Sequence, residues 1–219
     1  PGISTAATHN VPGDFATIQA CIDAAVSGVD ECVVAPGTYH ETINFLGKAI
    51  TVRSSGGAAV TTIDATGIRG SAVTCASGEG PDSVLNGFTI TGGTGWGCGD
   101  MSCGGGMYNR DSSPTVTNCI FTANTANAGG GMSNSAGSPT VIHCTFSGNR
   151  VTRSLFGGIG AGGGMFNHDK SVPTVSNCTF QGNLAELRGG GMYNLGSTPT
   201  VMNCTFSGNT AAQGGGMAN

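Results

Sequence analysis

Apolar residues in the second half of this chain recur singly and at fixed offsets, not in helical stripes. One phrase carries them. It reads GGGMYNRDSSPTVTNCIFTAN from Gly104, GGGMSNSAGSPTVIHCTFSGN from Gly129, GGGMFNHDKSVPTVSNCTFQGN from Gly162 and GGGMYNLGSTPTVMNCTFSGN from Gly189, with a partial copy, GGGMAN, from Gly214. The GGGM starts lie 25, 33, 27 and 25 residues apart. Self-similarity at such a period names a solenoid before any element is assigned. Within each copy, short β-type runs such as Thr115-Val116-Thr117 alternate with Gly, Asn, Ser and Pro. Three short strands and three turns fit one coil of a parallel β-helix, with coils about 4.8 Å apart. One coil cannot bury its own apolar face, but a stack can.

The pattern predicts inward columns. Met107, Met132, Met165, Met192 and Met217 form one; Val116, Val141, Val175 and Val201 a second; Cys119, Cys144, Cys178 and Cys204 a third; Phe121, Phe146, Phe180 and Phe206 a fourth. Val116 and Phe121 are an odd number of residues apart, so strict alternation puts them on opposite faces. A left-handed bend near Asn118 restores both to the inside. Asn118, Asn177 and Asn203, with His143 as a substitute rung, are then expected to stack as an inward amide ladder. Asn177 and Asn203 also head Asn-x-Thr sequons, and an inward ladder predicts that neither carries sugar.

The first half is less regular. Residues 1–13 carry no periodic signal and read as an extended tail. Asp14 then looks like the N-cap of an amphipathic helix over 14–27, with apolar positions at Phe15, Ile18, Ile22, Ala25 and Val26. An open coil exposes apolar core and unpaired edges, so this helix is expected to cover the N-terminal end. Residues 31–103 read as irregular coils, and 104–219 as the regular repeats.

Two resemblances follow from these motifs. The stretches ATIQACIDAA, VVAPGTYHETI, GKAITVRSSGG and VLNGFTITGG resemble the N-terminal part of secreted parallel β-helix proteins of the pectate-lyase-like superfamily. The later half is similar to the GGA(I/L/V) and FxxN repeats of chlamydial polymorphic outer-membrane proteins, here GGGM with Phe121-Asn124, Phe146-Asn149, Phe180-Asn183 and Phe206-Asn209. Together they imply an all-β, right-handed, single-stranded parallel β-helix of about eight coils with a short N-terminal capping helix, a hand that the crossover rule shares. They do not imply one activity, since this superfamily holds lyases, hydrolases, adhesins and unassigned surface proteins.

Composition narrows the partners. Only 9% of the 219 residues are charged, and the formal net charge is −4, which excludes the basic surface that nucleic acids require. No apolar run approaches the ~18 residues of a membrane span. The nine cysteines are odd in number. The column of four is expected to hold buried thiols. Cys98 with Cys103, and Cys21 with Cys32, are the candidate disulfides, which in turn imply an oxidising, extracellular or cell-surface location. The chain begins at Pro1, so a leader has been removed or the sequence is a piece. It ends at Asn219 straight after a strand, so either native sequence continues or another copy covers this coil, a head-to-tail contact that builds filaments.

Candidate chemistry is sparse. Both repeat irregularities precede GGGM: Thr94 to Cys103, and Arg150 to Ala161. Insertions on one face often form the binding face. Trp96, Arg150, Arg153, Phe156 and Arg188 are therefore expected to meet there and suit an acidic polysaccharide by stacking and bidentate pairing. Asp111 and Asp169 occupy matching repeat positions two coils apart, beside Arg110 and His168, and are the candidates for a glycosidase pair, which needs carboxyls about 5–10 Å apart. No dense carboxylate cluster exists for Ca²⁺ and no His spacing suggests a metal; no cofactor is expected, with Ca²⁺ the one ion left open. The expectation is a non-catalytic, extracellular structural module, with polysaccharide binding as the alternative and a lyase or hydrolase a more distant one.

Overall fold

Residues 5–99, 101–152 and 159–219 are described in a computed structural model. Three parallel sheets form the walls of a tube. Sheet I has eight strands, from Thr8–Val11 and Glu31–Val34 through Thr115–Thr117 to Thr200–Met202. Sheet II has seven, from Gly37–Tyr39 to Thr205–Ser207, and sheet III seven, from Ile43–Asn44 to Met217–Ala218. The repeat sets the register. Met107, Met132, Met165, Met192 and Met217 are successive strand partners in sheet III. Val116, Val141, Val175 and Val201 are partners in sheet I. Phe121, Phe146, Phe180 and Phe206 are partners in sheet II, their rings stacked at 4.8, 4.7 and 4.7 Å. These columns, with the four cysteines, fill the tube and are buried until the last rung, where Val201, Cys204, Phe206 and Met217 are half-buried.

The corner between sheets I and II is one left-handed residue. Asn118, His143, Asn177 and Asn203 have φ of 53°, 53°, 54° and 52°. That single bend puts Val116, Cys119 and Phe121 all inside. The predicted inward ladder at this corner is wrong, however. All four bend residues are exposed, because a left-handed residue at a convex corner throws its side chain outward. The continuous buried ladders use other asparagines. Asn124, Asn149, Asn183 and Asn209, the last residues of the FxxN motifs, are linked side chain to side chain at 2.9–3.0 Å. Asn109, Asn134, Asn167, Asn194 and Asn219, two residues after each Met, are linked at 2.7–2.8 Å. The sequon asparagines Asn177 and Asn203 accordingly face solvent.

The triple glycine lets the chain turn into sheet III while staying in the ladder. Gly105, Gly106 and Met107 donate to the carbonyls of Gly129, Gly130 and Gly131 one rung on, at 2.9–3.1 Å. A Cβ on Gly106 would lie 2.5 Å from the Gly131 carbonyl oxygen and 2.8 Å from the Phe121 ring. A side chain there would wedge the rungs apart.

Two readings of the N-terminal segment need correction. Thr8–Val11 is no tail; it pairs with Glu31–Val34 as the first strand of sheet I. The helix is Ile18–Ala24, shorter than 14–27, and its N-cap is Thr17, whose hydroxyl accepts from the Ala20 N–H at 3.1 Å. Asp14 instead closes a turn by accepting from the Asn10 N–H at 2.7 Å. Ile18, Cys21 and Ile22 of the helix bury against the first rungs. Charged residues hold both helix ends. Glu41 takes the Ile18 and Gln19 N–H groups at 2.9 Å each, and the Lys48 ammonium donates to the Ile22, Asp23 and Ala25 carbonyls at 2.7, 2.7 and 3.0 Å.

A second apolar layer lies outside the tube. Tyr108, Phe166 and Tyr193 follow the inward methionines by one residue, so they project from the other face of sheet III. Cys103, Ala128 and Ala161, where the chain folds back toward GGGM, bridge rung to rung and bury these rings. A three-stranded edge, Thr125–Ala126, Arg150–Val151 and Leu184–Ala185, continues that fold-back.

Candidate functional site

Two disulfides are formed, Cys21–Cys32 and Cys98–Cys103, with Cα atoms 6.1 and 5.9 Å apart. Cys75, Cys119, Cys144, Cys178 and Cys204 are free thiols. Burial pushes the Cys75 and Cys144 thiols well up from their usual range, which keeps them protonated.

The Cys98–Cys103 bridge closes a short antiparallel hairpin, Trp96–Cys98 against Met101–Cys103. The hairpin is tied back to the preceding rung: the Trp96 N–H donates to the Ser71 hydroxyl at 3.0 Å, and that hydroxyl donates to the Cys103 carbonyl at 3.3 Å. Gly70 lies directly under the Trp96 ring; a Cβ there would sit 3.5 Å from it. The indole is therefore fixed along one side and 55% exposed. It forms one wall of a groove of about 550 Å³ over the first rungs of sheet III. Leu46 and Asn44 supply the floor from the neighbouring coil, and Arg69 and Arg110 supply two exposed guanidinium groups. Asp23 adds one carboxylate, bonded to Gln19 at 2.8 Å.

Of the cluster expected from the sequence, the described members Trp96, Arg150 and Arg188 share no groove. Trp96 leans toward the N-terminal rungs and shares its groove with Arg69 and Arg110. Arg188 lies rungs away, donating to Gln213 at 3.1 Å and the Tyr193 hydroxyl at 3.1 Å, its guanidinium 5.9 Å from the Tyr193 ring centre. It lines a separate hollow of about 360 Å³ with Ile159, Leu187, Ala212 and Gln213. Arg150 is exposed on the three-stranded edge. Arg153 and Phe156 lie outside the described residues. Arg69 was missed because it sits in an irregular coil where no repeat period marks its face; the signal available was its position one residue before Gly70, in a turn.

Asp111 and Asp169 share one corner, with Ala136 on the rung between them. Asp169 accepts from the Ser135 hydroxyl and from the His168 Nδ1, each at 2.8 Å. His168 stacks on Phe166 at 4.5 Å, and burial lowers its pKa. Among the described residues, Asp111 pairs with Arg110, at 3.8 Å. Side chains of Asp111 and Asp169 are 71% and 65% exposed, without the apolar surroundings that make a carboxyl a general acid. Ser135 and His168 both bond Asp169 and not each other, so the trio is not arranged in serine–histidine–aspartate order. No cluster of three or more metal-ligating side chains occurs among the described residues, and no described helix is long and apolar enough to cross a membrane.

The parallel three-walled winding defines the protein as a β-solenoid. The family comparison places it further: the model described as "Right handed beta helix region" matches residues 26–214, and the chain belongs to that family. Among solved structures it is similar to pectin methylesterase from Aspergillus niger in deglycosylated form, at 14% identity over 97% of this chain and 87% of that one, with a TM-score of 0.43. Nothing matches in a comparison with curated proteins.

Proposed function

We propose that this chain is a non-catalytic β-helix module of the cell exterior that holds an acidic polysaccharide in the Trp96 groove. The observation that carries the reading is the exposed indole, pinned by a disulfide-closed hairpin beside two arginines. An immobilised aromatic face stacks on a sugar ring with little entropy left to lose. The guanidinium groups of Arg69 and Arg110 in the same groove suit carboxylates by paired hydrogen bonds. Two disulfides favour an oxidising compartment, hence the extracellular placement.

Titration calorimetry with a soluble uronic-acid polymer and its methyl-esterified form tests it. Binding is expected to weaken about tenfold, about 1.4 kcal/mol, in Trp96→Ala. It should weaken with salt and on esterification, because the arginine contribution is electrostatic. Affinity that survives Trp96→Ala unchanged removes this groove as the site. Turnover of the polymer that is lost in Asp169→Asn would overturn the non-catalytic part.

A further inference from the structure

The outer face of sheet II is used by nothing described so far. Its strands are in strict register, so outward side chains form two straight columns. One holds Thr89, Ile120, Thr145, Thr179 and Thr205; the other holds Thr91, Thr122, Ser147, Gln181 and Ser207. From Thr89 to Ser207 these rungs carry no charged residue; the preceding rung, Thr62 and Asp64, ends the uncharged array. The hydroxyls of Thr91, Thr122, Thr145, Thr179 and Thr205 make no hydrogen bond to protein among the described residues. Each such threonine offers one hydroxyl and one methyl.

The face is also flat. Neighbouring strands in ordinary sheets rotate by about 20°. Here the phenylalanine rings beneath are stacked at 4.7–4.8 Å with interplanar angles of only 3–4°. Along the strand, outward residues two apart are separated by about 6.7 Å. β-propensity accounts for threonine at any exposed strand position. It does not account for a planar, uncharged array in which Thr91, Thr122, Ser147 and Ser207 line one column with hydroxyls and Thr145, Thr179 and Thr205 line the other, while Thr89 is bonded to the Ala58 carbonyl and Ile120 and Gln181 interrupt the pattern.

We infer that this face binds an ordered water lattice, the surface of an ice crystal. Its two repeats lie close to those of the oxygen positions on a prism face of hexagonal ice. Hydroxyls at the repeat can stand in for lattice water, and the methyls between them hold neighbouring waters in place. A protein partner would be met by the aromatic and arginine anchors typical of interface cores, which the array lacks.

The test is thermal hysteresis and ice recrystallisation with the purified chain. Wild type is expected to arrest crystal growth. Thr145→Tyr and Thr179→Tyr, each of which breaks the plane, are expected to lose the effect several-fold, while Thr174→Tyr on sheet I and Trp96→Ala retain it. Melting curves establish that each variant is folded. No hysteresis in wild type overturns the inference, as does equal loss in Thr174→Tyr. Pull-down on crystalline cellulose or chitin without any effect on ice overturns it too, in favour of a crystalline polysaccharide. Retained activity in Trp96→Ala separates this face from the groove, so failure of one leaves the other standing.

Discussion

Replacing Asn149 with leucine asks whether the amide ladder, and not the apolar columns alone, binds one rung to the next. Asn149 is fully buried. Its Nδ2 donates to the Phe121 carbonyl at 2.9 Å and to Asn183 Oδ1 at 3.0 Å; its Oδ1 accepts from the Asn124 backbone N–H at 3.2 Å and from Asn124 Nδ2 at 3.0 Å. Leucine is of similar size, so little cavity is created. Four hydrogen bonds at about 1 kcal/mol each are lost, and an Asn124 N–H stranded in the core adds about 2 kcal/mol. The greater apolarity of leucine returns about 2 kcal/mol. The net expectation is a loss of about 4 kcal/mol, a large share of the ~5–15 kcal/mol of a typical domain. Guanidinium unfolding measures the total, and hydrogen exchange at the Asn124 amide locates it. The matched control is Asn177→Gly at the exposed bend. Glycine accepts the left-handed conformation there, so the change should stay within about 0.5 kcal/mol. A loss below about 1 kcal/mol in Asn149→Leu, or an equal loss in the control, refutes the reasoning.

Three further outcomes are expected. Gly164→Ala places a Cβ 2.5 Å from the Gly191 carbonyl oxygen and 2.9 Å from the Phe180 ring, and should cost more than about 3 kcal/mol or prevent folding, read from soluble yield and the melting curve. Lys48→Met strands three carbonyls at the end of the helix, and should cost about 1–3 kcal/mol in denaturant titration. The backbone N–H of Val26, then that of Ala7, with the His9 ring, hold the Asp30 carboxyl below its usual range. Because its folded pKa is depressed, this stabilisation is present above the unfolded value of about 4 and lost as pH falls through the lower folded one. Thermal scans from pH 6 to pH 2, a range of about two units either side of that value, should therefore show a shallower acid decline in Asp30→Asn than in wild type.

The tube was legible because its determinants are periodic. Met107, Val116 and Phe121 each predict the position of their next copy, and a parallel stack has one way to satisfy all three. The choice of ladder was not legible in the same way. Asn118 and Asn124 both recur at the repeat period, the first with His143 in one copy, and the handedness of the corner decides that the first points outward and the second inward. The first strand, Thr8–Val11, lacks a repeat and is held by pairing to Glu31–Val34, a non-local contact without local signature. The groove was half-legible. Trp96 stood out as the single tryptophan, but its direction depends on the disulfide-closed hairpin and the space above Gly70, which a repeat alignment does not encode.

Both buried ladders are polar in the vectorial sense. In each, every Nδ2 points toward the next rung and every Oδ1 toward the previous one. A copied unit therefore enters the stack without reversing any bond: it receives from below and gives above, as its parent does. Among the described residues, an amide oxygen is buried without a donor only where the series begins, at Asn109. Length is thus a free parameter of this scaffold. An extra internal repeat should extend the rod by one 4.7–4.8 Å step, making the number of copies a ruler that gene duplication can lengthen one notch at a time.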